Sequence, residues 1–246
     1  MKIPRLLIAF TVIVLCISQS LDAMENRLSM SPAPLEEDFA KAWWLKRHAE
    51  KLKEIEARSA DIDVVFLGDS ITHAWDDKGL NIWQRDFVPR GGLNLGFAGD
   101  RTENVLLRIE KGQIDNMSPS VFVILIGTNN TGHRRDPAEH TAAGISQIIH
   151  EVHARHPMAQ IILHAVFPRG RKPNGPLRRL NEDINALISP LAELNYVHWL
   201  DLSHMFVDEQ GIIPMSIMED ALHPNSNQYP LWATELLPII DNLRGK

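Results

Sequence analysis

A hydroxyl, an imidazole and a carboxylate can together cut an ester, and this chain offers one set of them. Ser70 stands in Gly68-Asp69-Ser70-Ile71-Thr72, and Asp220-Ala221-Leu222-His223-Pro224 sets a carboxylate three residues before a histidine. Three residues is about one turn, so the acid can face the ring and hold it in one tautomer. Asp220 then accepts from Nδ1 while Nε2 of His223 takes the proton from Ser70 Oγ. A serine hydroxyl is a poor nucleophile without such a base, and the tetrahedral intermediate also needs donors for its oxyanion. The backbone N–H groups of Ser70 and Gly99 and the side-chain amide of Asn129 are the candidates, each such donor being worth about 3 kcal/mol. Glycine at 99 permits close backbone approach, and asparagine at 129 supplies a neutral donor.

These groups act together only if the fold gathers them. Short apolar runs at Val64 to Leu67, Leu93 to Leu95, Val121 to Ile126, Ile161 to Phe167 and Val197 to Leu200 read as strands. Between and around them, amphipathic stretches at about Asp38 to Arg58, Thr102 to Lys111, Ala138 to Arg155, Leu177 to Leu194 and Asn225 to Leu243 read as helices. That alternation predicts an α/β fold with a parallel sheet covered on both faces. The first three strands end in Gly68-Asp69-Ser70, Gly96-Phe97-Ala98-Gly99-Asp100 and Gly127-Thr128-Asn129-Asn130. Ligands of open α/β sheets bind at the carboxyl ends of the strands, so the three ends predict one shared site.

Other chemistries fit less well. Asn94 stands where a Gly-x-Gly-x-x-Gly dinucleotide loop needs its first glycine, and Thr72 where a Gly-x-Ser-x-Gly elbow needs its last. His150, Glu151, His153 and His156 depart from the His-Glu-x-x-His zinc spacing and read as a solvated helix face. Asp69 and Asp100 are expected to cap and brace loops. His73, Trp75 and Trp83 follow the nucleophile and are equally balanced between lining a pocket and packing the core. The short basic run from Arg169 to Arg179, broken by proline and glycine, reads as a loop. No metal or organic cofactor is required.

The blocks Gly68-Asp69-Ser70, Gly99-Asp100, Gly127-Thr128-Asn129 and Asp220-x-x-His223 resemble the four sequence blocks of the GDSL, or SGNH, hydrolases. The resemblance implies a three-layer flavodoxin-like fold with about five parallel strands. It assigns the nucleophile, the oxyanion glycine and asparagine, and the acid and base to Ser70, Gly99, Asn129, Asp220 and His223. Within that family, Gly96 to Leu106, Gly127 to Asn130 and Pro168 to Asn174 look like the catalytic subunits of platelet-activating-factor acetylhydrolase Ib and their bacterial relatives. That implies hydrolysis of short-chain, chiefly acetyl, esters on carbohydrate or lipid, and it admits a homodimer. A lysophospholipase or thioesterase with a longer acyl groove would use the same residues, and a carbohydrate-binding protein on this scaffold would use exposed tryptophans instead.

Lys2 and Arg5 precede the apolar run Leu6 to Ile17, after which Ser18-Gln19-Ser20 turns polar. The pattern predicts a signal peptide over 1–23, cleaved after Ser20 or Ala23, ahead of a single hydrolase domain over 24–246. The run is short of the roughly 20 residues of a membrane span, so an exported protein, periplasmic or secreted, is expected rather than an anchored one. The one cysteine, Cys16, lies in that run, which leaves the mature protein without a thiol. With 44% apolar and 23% charged residues the 246-residue chain can build one core, and its net charge of −6 gives no footprint for nucleic acid.

Overall fold

Val64 to Gly68 is buried at every position, the mark of a strand covered on both faces. It is β1 of five strands in a computed structural model that describes residues 28–245; the predicted signal segment and both cleavage points lie outside the described residues. The others are β2 (Gly92–Gly96), β3 (Val121–Leu125), β4 (Gln160–His164) and β5 (Val197–Leu200). All pair in parallel, in the order β2-β1-β3-β4-β5. The principal helices are α1 (Trp44–Arg58), α2 (Ser70–His73), α3 (Thr102–Glu110), α4 (Ala138–Arg155), α5 (Pro176–Ile188) and α6 (Gln228–Arg244).

Successive strand residues serve opposite faces, as a two-residue period requires. Val65, Leu67, Phe122, Ile124, Ile161 and Leu163 pack with Val105 of α3, Ile145, Ile148 and Ile149 of α4, and Ile184 of α5. Val64, Phe66, Val121, Val123 and Ile162 pack with Trp75, Trp83 and Phe87, and with Tyr229, Trp232 and Leu236 of α6. The chain leaves β1 for β2 on one side and returns from β2 to β3 on the other. The loops after β1 and β3 therefore diverge, and a crevice opens between them at the carboxyl edge.

The predicted elements all form, with shifted ends. The ladder of β4 stops at His164 instead of running to Phe167, although the N–H of Ala165 still donates to Leu200 O at 2.9 Å. The long helix predicted over Leu177 to Leu194 ends at Ile188 and tightens into a 3₁₀ turn over Ser189–Glu193, because Pro190 has no N–H to continue it. Residues before Trp44 form turns, so α1 starts later than expected. His150, His153 and His156 do not share a solvated face. His150 is exposed, but His153 stacks on Tyr196 with centroids 3.6 Å apart, and His156 is buried with Nε2 donating to Ile114 O at 2.7 Å.

Two buried carboxylates hold the loops at the crevice. Asp69 caps α2, its Oδ1 accepting the N–H of Ile71 at 2.9 Å. Asp100 accepts Trp44 Nε1 at 2.6 Å and Arg108 Nε at 2.8 Å, and the Arg108 guanidinium lies 4.1 Å from the Phe97 ring centroid and also bonds Gln113. Burial raises Asp69 to about 7 and Asp100 to about 6; against this, the N–H of Ile71 favours the ionised form of Asp69, and Arg108 and Trp44 that of Asp100. A carboxyl raised above its unfolded value contributes stability that is complete below pH 3.8 and is lost as pH rises through the folded value. Asp69→Asn, which keeps the cap acceptor, should therefore raise the melting temperature by at least about 3 °C at pH 8 and leave it unchanged at pH 4. Arg108→Met strands the Asp100 charge and should cost about 3–5 kcal/mol in denaturant titrations at neutral pH, with part of the loss recovered by adding Asp100→Asn.

Candidate active site

Ser70 opens α2 directly after β1, placed there by the Asp69 cap. Its Oγ lies 2.9 Å from His223 Nε2. On the other side of the ring, Nδ1 lies 2.6 Å from Asp220 Oδ2. Nδ1–H donating to the carboxylate leaves Nε2 as an acceptor for the serine hydroxyl, so the two contacts define one tautomer. Asp220 Oδ1 also accepts the N–H groups of Leu222 at 3.0 Å and His223 at 2.8 Å. Partial burial pushes the Asp220 carboxyl up, but the side-chain and backbone donors of His223 outweigh it and hold the group at about 2. Between Asp220 and His223, Ala221 adopts φ 57°, a left-handed conformation that costs an L-residue about 1–2 kcal/mol.

The expected oxyanion donors arrive on the loops after β2 and β3. Gly99 has φ 87°, and a Cβ there would come within 2.6 Å of the Phe39 ring, so conformation and space both demand glycine. Asn129 Nδ2 donates to Asp100 O at 2.9 Å, which ties the two loops together and leaves its second amide hydrogen unspent. The N–H groups of Ser70 and Gly99 have no acceptor on the protein among the described residues. After Asn129 the chain makes a π-helical turn, Asn130–Arg134, of a kind common at functional sites.

Three residues near Ser70 serve the scaffold instead of a pocket. Trp75 and Trp83 are buried in the aromatic core with Phe66 and Phe87, which settles their place there. His73 braces the β2 loop, its Nδ1 accepting the N–H of Ala98 at 3.2 Å, and it rests 5.6 Å from the Trp43 ring. Burial lowers it to about 4, so it is neutral at ordinary pH.

The basic run after β4 does more than its composition suggested. Arg171 donates through Nη1 to Ile213 O at 2.7 Å and Met218 O at 3.0 Å, and through Nη2 to Glu219 O at 2.6 Å. The N–H of Gly170 reaches Ala221 O at 2.8 Å, and Arg178 of α5 donates to Gly170 O and Gly211 O. Three carbonyls gripped by one guanidinium fix the segment that leads into Asp220 and His223. Arg169 joins the opposite loop, donating through Nη1 to Thr128 O at 2.5 Å. Among the described residues no three His, Cys, Asp or Glu side chains gather as a metal site.

Residues 66–230 match the model of the GDSL-like lipase/acylhydrolase family. The chain is 34% identical over 200 residues to human platelet-activating factor acetylhydrolase IB subunit alpha1, covering 81% of this chain and 83% of the relative. It is 36% identical over 187 residues to the alpha2 subunit from Rattus norvegicus, covering 76% and 78%. A GDSL-like lipase from Bacteroides thetaiotaomicron superposes with a TM-score of 0.66 at 21% identity, covering 80% of this chain and 97% of the other. An acetyl xylan esterase variant from Geobacillus stearothermophilus gives 0.59 at 18%, covering 73% and 96%. At those identities the two structures speak for the fold, while the family match and the acetylhydrolase subunits speak for descent and chemistry. The chain belongs to the GDSL-like lipase/acylhydrolase family and is a carboxylic ester hydrolase.

Proposed function

We propose that the protein removes short acyl groups, acetyl foremost, from polar alcohols, with Ser70 as nucleophile, His223 as general base and Asp220 as the group that orients it. The observation that carries this reading is the continuous Ser70–His223–Asp220 hydrogen-bond chain of 2.9 and 2.6 Å. His223 Nε2 takes the hydroxyl proton as Ser70 Oγ attacks the acyl carbonyl. The negative oxygen is received by the N–H groups of Ser70 and Gly99 and by the free amide hydrogen of Asn129. As the intermediate collapses, His223 Nε2 returns its proton to the departing alcohol. Water then enters, gives a proton to the same nitrogen and attacks the acyl-enzyme, releasing the acid and regenerating the serine. Asp220, held ionised, stabilises the imidazolium in both halves.

The acetyl preference draws on the relatives: the platelet-activating factor acetylhydrolase subunits and the acetyl xylan esterase both carry it in their names. They differ in the alcohol, lipid in one and polysaccharide in the other, and an exported protein would meet both. The signal pattern supports export, and no helix among the described residues is long and apolar enough to cross a membrane. A non-catalytic carbohydrate-binding role has less support, because no tryptophan among the described residues is exposed.

Ser70→Ala and His223→Ala should each lower kcat on 4-nitrophenyl acetate by at least about 10⁴-fold with an unchanged circular dichroism spectrum. Retained turnover in either variant would refute the assigned roles. Across a series from acetyl to palmitoyl esters, kcat/KM should be greatest for acetyl. A rise of about fourfold per added methylene would instead mark a long apolar acyl groove and the lysophospholipase or thioesterase reading.

A further inference from the structure

Arg169 differs from the other arginines at this edge of the sheet. Arg101 pairs with Glu37 and Glu103, Arg108 with Asp100, and Arg134 with Glu103 and Asp136. Arg171 spends its guanidinium on three carbonyls. Arg169 is half-buried, forms no ion pair among the described residues, and commits only Nη1, to Thr128 O at 2.5 Å and Thr128 Oγ1 at 3.4 Å. Its Nε and Nη2 have no acceptor among the described residues, yet neither is sealed from solvent. A guanidinium presents its donors in a planar fork, and the unused side of this fork matches two oxygens of a carboxylate or phosphate.

The fork is also seated. Gly132 lies against the guanidinium so closely that any Cβ there would collide with it. Thr128 immediately precedes Asn129, and Gly170, next to Arg169, is bonded to Ala221 of the acid–base segment. The head group therefore stands between the loop of the oxyanion amide and the loop of the general base. Asp69 and Asp220 are the carboxylates that act on it, and His133 is a further titratable neighbour. Asp220 already serves His223 Nδ1 and two backbone N–H groups, and burial holds Asp69 largely protonated below about 7. Neither accepts a hydrogen bond from Nε or Nη2.

We propose that Arg169 is a specificity-determining residue whose Nε and Nη2 bind an anionic group, carboxylate or phosphate, carried on the alcohol half of the ester substrate. The inference rests on the short-acyl reading, since an acetyl group has no polar atom beyond its carbonyl to reach the guanidinium.

Two matched pairs test it and separate the sources of the anion: 2-O-acetylglycerol 3-phosphate against 2-O-acetylglycerol, and 4-acetoxybenzoate against its methyl ester. The wild-type protein should favour the anionic member of at least one pair by about 10-fold or more in kcat/KM, the scale of a charge-assisted contact. Arg169→Gln should abolish that preference while changing kcat/KM for the neutral ester less than about threefold, and Arg169→Lys, which keeps the charge but loses the fork, should retain part of it. No anionic preference in the wild type, or equal losses on both members in Arg169→Gln, would overturn the proposal, the second outcome leaving Arg169 a brace for Thr128. Should none of the four esters turn over, the acetyl reading fails separately. Protection of Ser70 against a fluorophosphonate by glycerol 3-phosphate or benzoate then decides: protection in the wild type and not in Arg169→Gln supports the anion site, and protection by neither ligand in the wild type overturns it.

Discussion

The hydrogen bond between Ser70 Oγ and His223 Nε2 joins groups 153 residues apart, and most of the architecture serves to hold that 2.9 Å. A serine proton is transferred efficiently only across a short, aligned contact, so each partner has to be positioned independently and rigidly. Ser70 is held by β1, which is paired on both sides by β2 and β3, and by the Asp69 cap. His223 has no strand beneath it. It is held by Asp220, by the three carbonyls that Arg171 grips, and by Tyr229 of α6, whose hydroxyl donates to Ile71 O at 2.9 Å and so links the helix after His223 to the helix that Ser70 opens.

The same logic explains why the crevice is lined with buried polar groups. Burying a carboxylate and a guanidinium costs several kcal/mol each, and Asp100 and Arg108 are both fully buried. What they secure is the mutual placement of three loops. Asp100 accepts from Trp44 and Arg108 through its side chain and from Asn129 through its carbonyl, so α1, α3 and the Asn129 amide share one anchor. The segment before α1 adds a cover, with Phe39 over Gly99 and Glu37 bonded to Arg101.

Much of this was legible in the residues. Apolar runs one strand long, bounded by glycine and polar residues, marked β1, β3 and β5 almost to the residue, and the amphipathic period marked α4 to both ends. The meeting of Ser70, His223 and Asp220 was legible because strand ends and a carboxylate one turn from a histidine carry their own spacing. Trp75 and Trp83 were ambiguous because an aromatic side chain soon after Ser70 serves core or pocket equally well; the depth of the face under α6 decided for the core. The roles of Arg169 and Arg171 were not legible, since their acceptors are backbone carbonyls and a carbonyl has no signature in sequence. His156 turned inward for a related reason, its partner being Ile114 O.

The most direct test is to treat the folded protein with a fluorophosphonate and map the adduct by peptide mass spectrometry. A single adduct on Ser70, formed rapidly in the wild type and suppressed in His223→Ala, is the predicted result. An unmodified Ser70 in folded protein, or modification that proceeds equally fast without His223, would contradict a serine activated by the His223–Asp220 pair.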